Sequence, residues 1–166
     1  MARQLSLIVS VAVLTTACAS LEGLRAFVQP PRFEEAPGRD PEIRLTGLGG
    51  TSAVSGARVR LWAHVTNPNR FGLTLGTLRG TLSLEGTPAA EIDFPLGLPL
   101  QPGEGTDVPI DITIDFRDLP GLGRTIGRAI AREPIAYEVE GTIGVSAGAL
   151  GEPTFGPMTL LSGEIR

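Results

Sequence analysis

The stretch Thr106–Phe116, T-D-V-P-I-D-I-T-I-D-F, alternates between apolar and polar residues over most of its length. Its apolar members are Val108, Ile110, Ile112, Ile114 and Phe116. Successive side chains of a β-strand face opposite ways, so all five would lie on one face of an extended chain. The period of two therefore predicts a strand with one buried and one solvated face.

The same alternation recurs along the chain, in residues 58–65 and again in residues 137–145. Further strands are predicted at Glu42–Leu48, Ala89–Leu96 and Thr154–Ile165 and in the leucine-rich run that follows residue 72. In that run the apolar phase slips around Gly76, which predicts a β-bulge or a change of sheet. About seven half-solvated strands without intervening helices predict an all-β, antiparallel β-sandwich.

Residues 118–133 depart from this period. Leu119, Leu122, Ile126 and Ile130 recur at helical spacing. Asp118 is a candidate N-cap and Pro134 a stop signal. The pattern predicts one short α-helix before the penultimate strand, covering an open end of the sandwich.

The composition excludes several classes of function. The 166-residue chain carries 14 basic residues, all arginine, scattered among 18 acidic ones, with a net charge of -4. Nucleic-acid binding needs clustered positive charge, so no nucleic-acid partner is expected. The single cysteine excludes an internal disulfide in the monomer and a cysteine-rich zinc site.

The N-terminus has the features of a secretion signal. Residues 1–17 contain one arginine, a short apolar run and small residues, and the run is too short to span a membrane. Leu14–Cys18 resembles the lipobox of bacterial lipoproteins, although Thr15 stands where that motif usually has leucine. The resemblance implies a lipidated Cys18 and, without Asp after the cysteine, the outer membrane. The alternative is ordinary cleavage after Ala19, which would release a soluble secreted or periplasmic protein.

The chain is thus predicted to have three parts. Residues 1–17 form the lipoprotein signal peptide, residues 18–41 a proline-rich tether, and residues 42–166 the β-sandwich domain. The tether is predicted from its charged, proline-punctuated composition. Phe27 and Phe33 are its two candidates for contact with the domain.

No catalytic, cofactor-binding or metal-binding residue is predicted. Gly121–Gly127 resembles a dinucleotide fingerprint, but its spacing is G-x-G-x-x-x-G and no parallel strand-helix units surround it. The carboxylates Asp111, Asp115, Glu138 and Glu140 fall on solvated strand faces. His64 is the only histidine, it shares the polar face of its strand with Trp62, and it lacks the partners of a metal site.

Asn67-Pro68-Asn69 is the most specific internal motif, since the chain has no other asparagine. It is either a reactive centre or a turn that needs these side chains. Asn67 precedes a proline and is therefore pushed towards an extended conformation. Asn69 suits the exit of a turn because asparagine tolerates a left-handed backbone and its amide bonds nearby backbone groups. The residue chemistry favours a corner held by side-chain hydrogen bonds.

The order of these features resembles a known family. V-T-N-P-N-R-F-G-L-T-L-G-T-L-R-G-T-L-S-L-E-G, then D-V-P-I-D-I-T-I-D-F, a helix and I-A-Y-E-V-E-G-T-I-G-V, is similar to the late embryogenesis abundant type 2 family, also called the water stress and hypersensitive response (WHy) domain. The resemblance implies a fibronectin type III-like, immunoglobulin-like β-sandwich associated with desiccation or stress. The family has no established catalytic residues, and a lipobox matches its bacterial members.

Two functions follow as expectations. The first is a non-enzymatic lipoprotein anchored in the cell envelope, on the periplasmic side of the outer membrane, that protects proteins or membrane during water stress. The second is a binding module for a lipid or an envelope protein. A large apolar cavity would favour the lipid, whereas a filled core with an exposed strand edge would favour the protein.

Overall fold

The computed structural model describes residues 27–47, 54–116 and 120–165, and within them the chain forms eight strands in two sheets. The strands are β1 (Arg32–Glu35), β2 (Glu42–Thr46), β3 (Gly56–Thr66), β4 (Leu73–Leu84), β5 (Thr87–Leu100), β6 (Gly105–Asp115), β7 (Ile135–Ser146) and β8 (Thr154–Ile165). Between β6 and β7 a 3-10 turn, Pro120–Leu122, leads into the helix α1, Gly123–Ala131. A second 3-10 turn, Gly148–Leu150, joins β7 to β8. The predicted all-β sandwich with one short helix is confirmed.

Every strand pair is antiparallel. In sheet A, β3 is central and pairs with β6 along its whole length, from Gly56 opposite Asp115 to Thr66 opposite Gly105. The short strands β1 and β2 pair with the two halves of the other edge of β3. Sheet B has the order β5-β4-β7-β8. Because β5 passes directly into β6, the chain crosses from one sheet to the other at residues 101–104.

The eighth strand lies inside the segment predicted to be a tether. Residues Arg32–Glu35 form β1, with Phe33 opposite Val65 of β3 and partly buried against the core. The sequence R-F-E-E between prolines has no strand periodicity of its own, so only pairing with β3 makes it a strand. Phe27, the other predicted contact, is 71% exposed. The folded domain therefore includes residues ahead of Glu42.

The core fills the space between the sheets. Alternate residues of β3, β6 and β7 are buried, as the period of two predicts. The largest fully buried side chains are Leu61, Leu75, Leu78, Leu82, Leu84, Leu100, Ile110, Ile114, Leu122, Ile135, Ile143 and Ile165. The predicted irregularity around Gly76 is confirmed, since the register of β4 shifts between Leu75 and Thr77 against β5 and between Leu75 and Leu78 against β7.

The helix lies at the end of the sandwich where β5 and β7 begin. Leu122, just before it, is fully buried, and Thr125 is the buried residue of α1. Ile130, predicted to face the sandwich, is 61% exposed. The inner face is therefore rotated towards Thr125 and Ala129, which lie one and two turns after Leu122. The predicted N-cap Asp118 and its neighbour Leu119 lie outside the described residues.

Candidate functional site: the asparagine corner and the faces beside it

Asn67 lies at the end of β3 and is completely buried. Its side-chain Nδ2 donates to the carbonyl oxygens of Phe71 at 2.8 Å, Gln101 at 3.1 Å and Leu100 at 3.3 Å. Its Oδ1 accepts from the backbone N–H of Asn69 at 2.9 Å. One carboxamide thus joins the turn into β4 to the connection between β5 and β6.

The backbone of Asn67 completes this junction. Its N–H donates to the carbonyl of Glu104 at 2.9 Å, and its carbonyl accepts from the N–H of Gly103 at 3.0 Å. Every polar group of a fully buried residue is therefore paired, which is the condition for burying an amide without a large free-energy cost. The corner has the properties of a structural junction.

Asn69 binds the incoming N-terminal segment. Its Oδ1 accepts from the N–H of Gln29 at 2.8 Å, and its Nδ2 donates to the carbonyl of Gln29 at 2.9 Å and to Oδ1 of Asn67 at 3.0 Å. Val28, next to Gln29, is 4% exposed. The two asparagines form one network that connects the first described residues to both sheets.

The predicted left-handed backbone at Asn69 is wrong. Among the described residues other than glycine, only Glu85 and Arg132 have a positive φ. Asn69 is needed for its amide instead, because both backbone groups of Gln29, 40 residues away in the sequence, bind it. Asparagine is therefore needed at this position for the hydrogen bonds of its amide and not for its tolerance of a positive φ.

His64 lies on the solvated face of sheet A, where Nδ1 is 2.7 Å from Oδ1 of Asp107. Its ring lies against the backbone of Gly105, where a Cβ would collide with it. Within the described chain Asp107 is its only hydrogen-bonding partner, so no described hydroxyl or thiol is hydrogen-bonded to the imidazole. The arrangement orients the histidine but supplies no nucleophile.

The neighbouring residues of the same face form a row of paired charges. Arg60 donates two hydrogen bonds to Asp111, at 2.7 and 3.0 Å. The hydrogen bond from Arg60 lowers the pKa of Asp111, and the bond to Asp111 raises the pKa of Arg60. Arg39 lies over the ring of Trp62 at 4.4 Å from its centroid, a cation–π contact. The lowered pKa of Asp111 favours its ionised form, whereas a carboxyl general acid needs a raised pKa.

A hydrogen bond between the two sheets was not predicted from the sequence. Tyr137 of β7 donates its hydroxyl to Oε1 of Glu35 on β1 at 2.6 Å. Burial, together with this hydrogen bond, raises the pKa of Tyr137 above its usual value. The Glu35 carboxylate lies over Gly163, where a side chain would collide with it. The pair is 102 residues apart in the sequence, and no local pattern could indicate it.

The remaining candidates are dispersed. Glu138 and Glu140 are exposed on β7, and Glu138 accepts a hydrogen bond from Thr159 at 3.1 Å. Gly121 lies in the 3-10 turn, and Gly123 and Gly127 lie in α1. The strands around them are antiparallel, whereas a dinucleotide-binding fold has parallel strands. Over residues 27–47, 54–116 and 120–165 there is no cluster of three metal-binding side chains. Cys18 lies outside the described residues.

Surface pockets are shallow and polar. One, of about 690 Å³, is formed by residues 35–41 of β1 and the β1–β2 loop, together with Glu164. Another, of about 310 Å³, lies over β4 and β7 and is lined mainly by glycine, threonine, Arg79 and Glu152. Each has a single buried core residue in its lining, Ala36 in the first and Val145 in the second, so neither has the mainly apolar lining of a site for an acyl chain.

The comparisons with known proteins agree with this architecture. A search of curated proteins finds no match. A solution structure of a protein from Arabidopsis thaliana is similar, with a TM-score of 0.55 and 20% identity, over 77% of this chain and 78% of that one. A crystal structure of a protein from Archaeoglobus fulgidus matches with a TM-score of 0.45 and 14% identity, over 76% of this chain and 94% of that one. The family model of the late embryogenesis abundant protein, type 2, matches residues 63–159, more than half of the chain, and the chain therefore belongs to that family.

Proposed function

We propose that this protein is a non-enzymatic lipoprotein of the cell envelope whose late embryogenesis abundant domain protects proteins or membrane when water is lost. The family match over residues 63–159 carries this proposal. The family is generally non-enzymatic, and its functions are stress-related. Protection of this kind needs a stable, solvated surface and no reaction centre.

The described side chains support a role without catalysis. Among the described residues the imidazole of His64 is hydrogen-bonded only to Asp107, and the hydrogen bond from Arg60 lowers the pKa of Asp111. In neither arrangement is an acid or base hydrogen-bonded to a described hydroxyl or thiol nucleophile, as acyl transfer requires. The asparagine network is fully paired within the protein and offers no free donor to a substrate.

Anchoring rests on the N-terminal sequence. The segment ending in Leu14–Cys18 resembles a lipobox, and Ala19 and Ser20 after it favour the outer membrane. In the described part of the chain, no helix has the length and apolarity to cross a bilayer. Attachment through acyl chains on Cys18 would hold the domain at the periplasmic side of the membrane.

A second candidate function is an envelope binding module. The apolar core is buried between the sheets and neither of the two pockets described has a mainly apolar lining, which favours a protein partner bound at the surface over a lipid carried inside. In the described chain, β5 pairs only with β4 and β6 only with β3, so each has an edge without a hydrogen-bonded strand. Proline at positions 88, 95, 99 and 109 interrupts the donors along these edges, which limits strand addition.

The test separates anchoring from protection. Intact-mass analysis of the membrane-fraction protein is expected to show Cys18 as the acylated N-terminus, and a product that starts at Ser20 without lipid would refute anchoring. Desiccation survival is then compared between a deletion strain complemented with the wild type and one complemented with Cys18→Ser. The variant keeps Ala17 and Ala19 on either side of the substituted position, an A-x-A cleavage pattern, so the domain is still exported but not anchored.

We expect the wild type to restore survival and the soluble variant to restore it in part or not at all. Equal survival of the deletion strain and the wild type would refute the protective role. Affinity capture from envelope membranes, with mass spectrometry of bound protein and lipid, tests the binding module. A stoichiometric protein partner together with unchanged desiccation survival would favour the module.

A further inference from the structure

We propose that one particular end of the sandwich faces a phospholipid surface, the end that contains the asparagine corner. This corner end comprises residues 27–31, 67–73, 101–104 and 147–153, and the opposite, helix end carries α1 and the β4–β5 turn. The inference rests on the proposed attachment through Cys18. It adds which surface of the domain meets the membrane.

The first argument is the point at which the N-terminal segment leaves the domain. Asn69 holds both backbone groups of Gln29, and Val28 is buried. The described chain begins immediately before them, at Phe27, whose side chain is 71% exposed. The segment that connects the domain to Cys18 therefore joins the described residues at the corner end.

The second argument is length. Nine residue steps separate Cys18 from Phe27, and a fully extended chain of that length spans at most about 30 Å. The strand β4 has 12 residues and runs from the corner end to the helix end, so its 11 residue steps span about 36 Å at ~3.3 Å per residue. With the helix end on the membrane, Phe27 would be about 36 Å above it, farther than the extended segment spans. The length of the segment therefore favours the corner end over the helix end when Cys18 lies at the bilayer surface.

The third argument is the distribution of charge along sheet B. Towards the corner end, residues 71–78, 94–103 and 141–151, which belong to β4, β5, β7 and their loops, contain no charged residue. The charges that border this region are Arg70, Glu104 and Glu152. Towards the helix end the same three strands and the β4–β5 turn carry Arg79, Glu85, Glu91, Asp93, Glu138 and Glu140. The corner end itself contains Arg70, Glu104 and Glu152, so the contrast in charge concerns sheet B. Bringing a charge up to a bilayer costs desolvation energy, and the half of sheet B towards the corner end tolerates close contact better than the half towards the helix end.

Partly buried apolar side chains lie in this uncharged half. Phe94, Leu96 and Leu98 of β5 are only partly buried, and Phe27 stands beyond the same end. Apolar side chains in an uncharged surround gain by partial insertion between lipid headgroups. The length of the N-terminal segment, the point where it joins the domain and the distribution of charge on sheet B thus all favour contact of the corner end with the membrane.

The experiment uses two matched single-tryptophan variants in a Trp62→Phe background. Phe27→Trp places the probe at the corner end and Ile130→Trp at the helix end, and both positions are largely exposed apolar residues. The acylated protein is reconstituted into phosphatidylethanolamine–phosphatidylglycerol vesicles that contain a lipid spin-labelled near the headgroup. We expect quenching of Phe27→Trp fluorescence by about twofold or more, and none for Ile130→Trp.

Equal quenching of the two probes, or stronger quenching of Ile130→Trp, would overturn the proposed orientation. Hydrogen–deuterium exchange of the wild type on the same vesicles gives a measurement free of substitutions. Added protection is expected in residues 99–105 and 146–151 and not in α1, and the reverse pattern would also overturn the inference.

The outcome is distinguishable from failure of the anchoring proposal. An acylated protein with the wrong quenching pattern refutes the orientation alone, whereas intact mass without acyl chains refutes the anchoring. In the second case the full-length chain, coupled through Cys18 to a maleimide lipid, still tests the orientation, because the chain has no other cysteine.

Discussion

Replacing Asn67 by alanine is the most informative perturbation of the corner. The change removes three donated hydrogen bonds and leaves the N–H of Asn69 without its buried acceptor. Because Asn67 is completely buried, water cannot readily replace the lost amide. An unsatisfied buried group costs about 1 to 3 kcal/mol, and the smaller losses at the partly buried carbonyls bring the expected destabilisation to about 2 to 4 kcal/mol.

Asn67→Asp tests which half of the amide matters. The aspartate keeps the size and the acceptor of the side chain but presents an oxygen to three carbonyl oxygens. We expect it to be at least as destabilising as Asn67→Ala. Asn69→Ala loses its bonds to Gln29 but adds no backbone strain, because its φ is negative, and should cost about 1 to 2 kcal/mol.

Urea unfolding of the variants beside the wild type measures these costs. With a slope of about 2 kcal/mol/M, the Asn67→Ala midpoint should fall by about 1 to 2 M. His64→Ala, on the solvated face, is the control and should change the free energy of unfolding by less than about 1 kcal/mol. Unchanged midpoints for both asparagine variants, or a larger effect of His64→Ala, would refute the assignment of the motif as a structural junction.

Three further outcomes are expected. Gly80→Ala should destabilise by more than about 2 kcal/mol in thermal or urea unfolding, because its Cβ would collide with the backbone of β7. Gly72→Ala, whose Cβ would meet its neighbours only at ordinary van der Waals distance, is the control. Tyr137→Phe should cost about 1 kcal/mol by loss of its bond to the carboxylate of β1, and no change in the midpoint would contradict that role. Because Arg60 lowers the pKa of Asp111, the pair stabilises the fold above the free aspartate pKa of about 3.9 and loses this contribution as pH falls through the lowered value. The difference in unfolding free energy between the wild type and Asp111→Asn should therefore shrink between about pH 6 and about pH 2, and a constant difference would argue against the ion pair.

The local patterns of the sequence determined the sandwich. Strict alternation in β3, β6 and β7 indicates one buried face per strand whatever the partner, because side chains of an extended chain alternate between two faces. The phase slip at Gly76 predicted a register shift for the same reason. Pro68 between two asparagines marked a turn, since proline restricts its own backbone and that of the preceding residue.

Only the tertiary structure determined which distant residues and segments contact each other. R-F-E-E becomes β1 because the edge of β3 is available to pair with it, and the segment has no periodic signal that would indicate a strand. In α1, Thr125 is buried and Ile130 is exposed. Packing against the end of the sandwich determines which face of the helix is buried, and the spacing of the apolar residues alone does not. Asn69 with Gln29, and Tyr137 with Glu35, meet across 40 and 102 residues of sequence. A sequence determines which residues prefer burial or a turn through local periodicity and backbone restriction, whereas contacts between distant residues arise only when the packed sheets bring them within hydrogen-bonding distance.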